Sequence, residues 1–130
     1  MSLKGARSKL ELARNQLQRV HDAVEMEDPE EAVTWAFYAY ENAVVAAAER
    51  EQLPWKKTHI SKQDVAEKLH RRSVLSRDIS DTLHDLNELR KDVAYGETGA
   101  DLEALDLEDL EAELEHFIDE VAAFVEGRGR

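Results

Sequence analysis

Apolar residues recur at three- and four-residue spacing through Leu3, Ala6, Leu10, Ala13, Leu17, Val20 and Val24, with charged and amide side chains between them. That period is one face of an α-helix, and it predicts a first helix over roughly Ser2 to Met26. Asp28-Pro29-Glu30-Glu31 reads as the next helix start. The aspartate caps free amides, proline suits the first helical position, and the two glutamates favour the positive end of the dipole. The second helix is predicted to run to about Gln52. Its apolar residues, among them Val33, Trp35, Phe37, Tyr40, Val44 and Val45, cover most of the circumference, which marks it as the central, most buried helix.

Leu53-Pro54-Trp55 ends that helix, because a proline disfavours helical geometry in the residue before it. After a connection through His59, Ser61 with Asp64 three residues on resembles a capping box, and Val65, Ala66 and Leu69 give a short third helix its inward face, ending near Arg72. Arg77 or Asp78 then opens a fourth helix with the stripe Ile79, Leu83, Leu86, Leu89 and Val93, stopped at Gly96. Gly96 to Asp106 reads as a loop or a single turn. Asp106 caps a last helix whose face is Leu107, Leu110, Leu114, Phe117, Val121 and Phe124. The expectation is an all-α fold: an up-and-down four-helix bundle plus one short helix, forming a single domain over residues 1–126 with a frayed tail at 127–130.

Composition agrees with one helical core. The chain has 130 residues, 42% hydrophobic and 35% charged, which suits one domain with strongly charged helix surfaces. It has no cysteine, so disulfides, thiolate nucleophiles and cysteine-bound zinc are excluded, and a reducing compartment is expected. The start lacks the apolar core of an export signal, and the densest apolar run, Trp35 to Ala48, is interrupted by Glu41 and Asn42. It is shorter than the ~20 residues that span a bilayer. The expectation is a cytoplasmic protein with no membrane span.

The net charge of -12 is unevenly placed. Gly96 to Arg130 holds 12 acidic and 2 basic residues, net -10, whereas Arg50 to Arg77 holds 8 basic and 3 acidic ones, net +5. The basic band, with Trp55, Lys56, Lys57 and His59 in its loop, would give single-stranded RNA an electrostatic path and one aromatic platform. A solvated helix face is the plainer reading. The acid-rich outer face of the last helix would repel nucleic acid and suit a basic protein partner, or serve solubility alone.

Candidate chemistry concentrates in Asp85-Leu86-Asn87-Glu88-Leu89-Arg90-Lys91-Asp92-Val93-Ala94-Tyr95-Gly96. Arg90 lies one turn beyond Leu86 and just before Val93, so a cation sits on or beside the apolar stripe. A guanidinium there needs an acceptor or a phosphate. Otherwise its stem packs while its head reaches water or pairs with Glu41. Tyr95, in turn, is either a binding residue or a helix-end tyrosine packed against Trp55 or the second helix.

A long first helix, an almost wholly apolar second helix with Glu41 in its middle, a short third helix, and then Arg90 followed by Tyr95-Gly96 resembles the HEPN domain (higher eukaryotes and prokaryotes nucleotide-binding). The likeness covers roughly Ala6 to Phe124 in topology, and Tyr38 to Glu49 and Asp85 to Gly96 in residues. It implies a bundle that forms a homodimer, with the arginine motifs of the two protomers meeting at the two-fold axis. In active members that site cleaves RNA without metal. The family motif is an arginine followed after four to six residues by a histidine. Arg90 matches the arginine, but Tyr95 stands at the ring position.

Imidazole titrates near neutral pH, whereas phenol near pH 10 is a poor base. The resemblance therefore implies a catalytically degenerate protein that binds RNA or a nucleotide, or partners a nucleotidyltransferase-type protein, through Arg90, Tyr95, Asn87 and Glu41. A metal-independent endoribonuclease of toxin type, using Arg90 with Tyr95 or His84, is the enzymatic alternative. A structural dimeric interaction protein is the third. The tyrosine that some family toxins carry two residues after the motif histidine corresponds here to Glu97. No two histidines share the spacing of a helical metal pair, and no glycine-rich phosphate loop or nucleophile elbow is present. No metal and no cofactor are expected.

Overall fold

The computed structural model describes residues 3–96 and 100–127. The expected frayed tail therefore lies, apart from Gly127, outside the described residues, as does Glu97. The described chain is all-helical, in the order α1 (Leu3–Glu25), α2 (Pro29–Glu51), α3 (His59–Arg71), α4 (Ser80–Ala94), α5 (Ala100–Glu103) and α6 (Leu107–Val125). The one-turn α5 is the single turn anticipated between Gly96 and Asp106. Among the described residues no helix is long and apolar enough to cross a membrane.

Asp28 caps α2, its side chain accepting the Glu31 N–H, with Pro29 at the first helical position, and Asp106 caps α6 through the Asp109 N–H. The start of α3 corrects the expectation. Thr58, three residues before Ser61, is the cap, and its hydroxyl accepts the Ser61 N–H at 3.1 Å. Ser61 instead accepts from the Lys56 N–H at 2.9 Å, so its hydroxyl closes the preceding loop. Asp78 stands just outside α4 and accepts the Ser80 N–H at 2.9 Å.

Three helices end in the same way. Glu27, Gln52 and Ser73 all adopt positive φ, at 53°, 61° and 62°. The residue after each donates its N–H back to the last turn: Asp28 to Ala23 at 2.8 Å, Leu53 to Ala48 at 2.9 Å, and Val74 to Leu69 at 2.9 Å. This left-handed turn satisfies carbonyls that the helix leaves open. It also aims the chain sharply back, so that Leu53 is buried directly after α2.

The second helix is the axis of the molecule. It packs against α1, α3, α4 and α6, and a run from Ala43 to Ala48 is buried on every side. Alanines at those positions let neighbouring helices approach closely, while Phe37 and Tyr40 fill the space between layers. The Tyr40 ring packs on Phe117 of α6 at 5.3 Å, and burial pushes its phenol pKa far above the ordinary value. α1 and α6 are also tied at the rim. Arg7 donates to both carboxylate oxygens of Glu126 at 2.9 and 2.8 Å, His21 meets Glu111 at 2.7 Å, and Arg50 of α2 donates to the Val125 carbonyl at the end of α6.

Candidate functional site

The inner stripe of α4 brings Leu83, Leu86 and Asn87 against α2, and Arg90 follows one turn after Leu86 and Asn87. Arg90 lies at this seam. One terminal nitrogen donates to Asn87 Oδ1 at 2.8 Å, and the other stands 3.5 Å from the Tyr38 hydroxyl. Its guanidinium carbon is 5.1 Å from the centre of the Phe37 ring and 5.6 Å from that of Tyr38. The planar cation is thus held by two aromatic rings and one amide. Arg90 Nε is buried without a hydrogen-bond partner, and among the described residues no carboxylate pairs with the side chain.

Glu41 is not the partner of Arg90. Only 3% exposed, it is committed to α3: Oε2 lies 2.7 Å from His59 Nδ1, and Oε1 lies 3.6 Å from Lys62 Nζ. The reason is rotational. Glu41 and Tyr38 are three residues apart on α2, and the first faces α3 while the second faces the end of α4. The two polar groups still share a neighbour, because the His59 ring meets Phe37 at 5.1 Å in an edge-on contact. Phe37 therefore separates a histidine–carboxylate pair from the arginine.

Of the residues singled out in the sequence, Arg90 and Asn87 are brought into direct contact, and Glu41 joins the same neighbourhood through Phe37. Tyr95 does not. It follows α4 as its C-cap, is 77% exposed, and shares no hydrogen bond or ring contact with Arg90, with Trp55 or with α2, so the packed alternative is also corrected. The helix ends at Ala94, and Gly96 takes a left-handed φ of 72°, so the Tyr95 ring leaves the seam just as the backbone turns. His84 is likewise exposed and contributes nothing to the Arg90 neighbourhood.

Trp55, Lys56 and Lys57 form a separate surface. Trp55 is half-buried, with Lys9 Nζ 5.6 Å from its ring centre. It lines a groove of about 400 Å³ with Pro54, Lys56, Asp64, Val65 and Lys68. Lys57 is exposed beside it. Half of the basic band already has partners within the chain: Arg50 on the α6 carbonyl and Lys62 on Glu41, and, at the surface, Arg71 on Glu67 and Arg72 on Glu51. Lys56, Lys57, Lys68 and Arg77 are the cations of the band left to face a ligand.

Sequence reasoning missed His59, Lys62, Phe37 and Tyr38 as members of the site. The sequence pattern places His59 in the connection after α2, whereas it opens α3. A buried glutamate in an apolar helix is the available signal, since such a group requires hydrogen-bonding or cationic partners, and His59 and Lys62, three residues apart on one helical face, supply them. Among the described residues no cluster of side chains could hold a metal ion. No protein-family model matches the chain, nor does any curated protein or solved structure.

Proposed function

We propose that this chain is a HEPN-like, dimeric protein that binds a phosphate-bearing nucleotide, free or within RNA, at Arg90 and does not cleave it. The observation that carries this reading is the state of Arg90: a guanidinium preset between Phe37 and Tyr38, oriented by Asn87 and matched by no carboxylate. A fixed planar fork at a half-buried seam suits bidentate contact with a phosphate, and the neighbouring rings offer a base a surface on which to stack. Lys56, Lys57 and Trp55 form a second, separate positive surface that a longer strand could reach. A nucleotidyltransferase-type protein is the partner that the family likeness suggests.

Cleavage through Tyr95 or His84 is the weaker reading, because both side chains are exposed and neither touches Arg90. Fluorescence anisotropy with single-stranded RNA, and separately with adenosine mono- and triphosphate, tests the proposal. Binding should weaken as salt rises. It should fall about ten-fold or more in Arg90→Ala, and nearly as far in Arg90→Lys, since an ammonium lacks the planar fork. RNA-only binding that depends on Lys56 and Lys57 would identify the strand as ligand, whereas binding of free nucleotide would identify the nucleotide. Cleavage in EDTA that disappears in Arg90→Ala would replace this proposal with the endoribonuclease. No binding, with a dimer in sedimentation, would replace it with the interaction protein.

A further inference from the structure

The pair formed by Glu41 and His59 has a use that nucleotide binding leaves untouched. The carboxylate is 4% exposed in its side chain and the imidazole 40%. Lys62 stands 3.6 Å from Oε1, and Oε2, as a carboxylate oxygen 2.7 Å from Nδ1, is an acceptor, which favours the tautomer of His59 with its proton on Nδ1. In that tautomer Nε2 points away from the buried carboxylate with its lone pair available, on a side chain that is 40% exposed. Phe37 packs against the ring in an edge-on contact at 5.1 Å, which limits its rotation. Nε2 makes no hydrogen bond to any described residue, and the exposed Lys56 and Lys57 lie just before His59 in the chain.

We propose that His59 is a phosphoryl-accepting histidine, modified on Nε2 by an acyl phosphate or a similarly activated phosphoryl donor. The Nε2 lone pair forms the N–P bond as the P–O bond to the donor's acyl group breaks, and the leaving carboxylate takes that electron pair. The ring becomes positively charged in the process, and Glu41 stabilises this charge through the Nδ1 proton, as the orienting carboxylate of a catalytic triad does. Glu41 is therefore a positioning residue. Its burial strengthens the effect, because the same charges interact more strongly away from water. The exposed lysines supply counter-charge to the transferred phosphoryl oxygens.

The other histidines make a graded internal control. His21 has the same contact, 2.7 Å from Nδ1 to Glu111, but its carboxylate is 21% exposed. His70 Nδ1 meets a neutral carbonyl, that of Leu75, at 3.1 Å. His84 and His116 are exposed and have no hydrogen-bond partner among the described residues. Reactivity should follow the order His59, then His21, then His70, with His84 and His116 last.

The test treats the full chain with acetyl phosphate and maps acid-labile phosphorylation on all histidines against time by mass spectrometry and phosphorus NMR. His59 should react on the order of ten-fold faster than His84, and the product should be the Nε2 adduct. Equal labelling of the histidines, or a faster His84, would overturn the proposal, and so would nitrogen NMR showing the proton of free His59 on Nε2. Glu41→Gln should bring the His59 rate down toward that of His84 while leaving His84 unchanged. If that variant does not fold, the comparison within the wild-type chain decides alone. Because the readout does not use Arg90, its outcome is separable from that of the nucleotide-binding test.

Discussion

The carboxylate of Glu41 and the imidazole of His59, 2.7 Å apart, fasten the first turn of α3 to the middle of α2. Lys62, one turn further along α3 and only 15% exposed in its side chain, holds the other oxygen. Removing the carboxylate strands a largely buried ammonium. Glu41→Ala should therefore destabilise the fold by about 2–4 kcal/mol in urea denaturation, whereas the double change Glu41→Leu with Lys62→Leu should cost less than the single one. A larger loss in the double variant would show that the ion pair itself, and not the stranded charge, dominates.

Asn87 and Arg90 present a different balance. Asn87 is 7% exposed, and its carbonyl is the strongest acceptor that Arg90 has among the described residues. Asn87→Ala removes that acceptor and loosens the guanidinium between its rings. The expected cost is about 1–3 kcal/mol of stability, measured by chemical denaturation. Nucleotide affinity should fall with it while the helix content by circular dichroism is unchanged.

Proton binding at the α1–α6 rim gives stability a pH dependence. The His21 pKa is raised from 6.5, first by its hydrogen bond to Glu111, then by the charge of that residue, with Glu25 adding to it. A folded-state pKa above the unfolded one means that the contact contributes fully below 6.5 and is lost as pH rises through the folded value. Wild-type melting temperature should therefore decline relative to His21→Gln on going from acid to mildly alkaline pH. Glu111→Gln should abolish the difference. Parallel curves for wild type and His21→Gln would refute the contact.

The three helix ends at Glu27, Gln52 and Ser73 share a left-handed backbone that side chains resist. The penalty is ~1–2 kcal/mol for a residue with a Cβ, partly offset by the entropy that glycine loses on folding. Each of Glu27→Gly, Gln52→Gly and Ser73→Gly should thus stabilise the protein by roughly 0.5–1 kcal/mol. Thermal melts of the three single variants and their combination provide the check; Gln52 and Ser73 flank the Glu51–Arg72 ion pair, so their gains should couple, whereas the gain at Glu27 should add.

Much of the architecture was legible along the chain because helix period and caps are local signals. The all-round apolar surface of α2, the Asp28-Pro29 start and the Asp106 cap all needed only neighbours within one turn. The start of α3 was misplaced because Thr58 and Ser61 are equally able caps, and tertiary packing of His59 on Phe37 and Glu41 chose between them. The inward placement of Arg90 could be read from its stripe. Its choice of Asn87 over Glu41 could not, since that depends on how α2 is rotated between α3 and α4. Tyr95 is one residue past the end of its helix, where spacing no longer fixes direction.

Because α2 touches α1, α3, α4 and α6, no subset of the helices can close around a core without it. Cutting the chain between α2 and α3 would leave both fragments exposing surfaces meant for each other, so the two pieces should be inert apart and regain structure only when mixed.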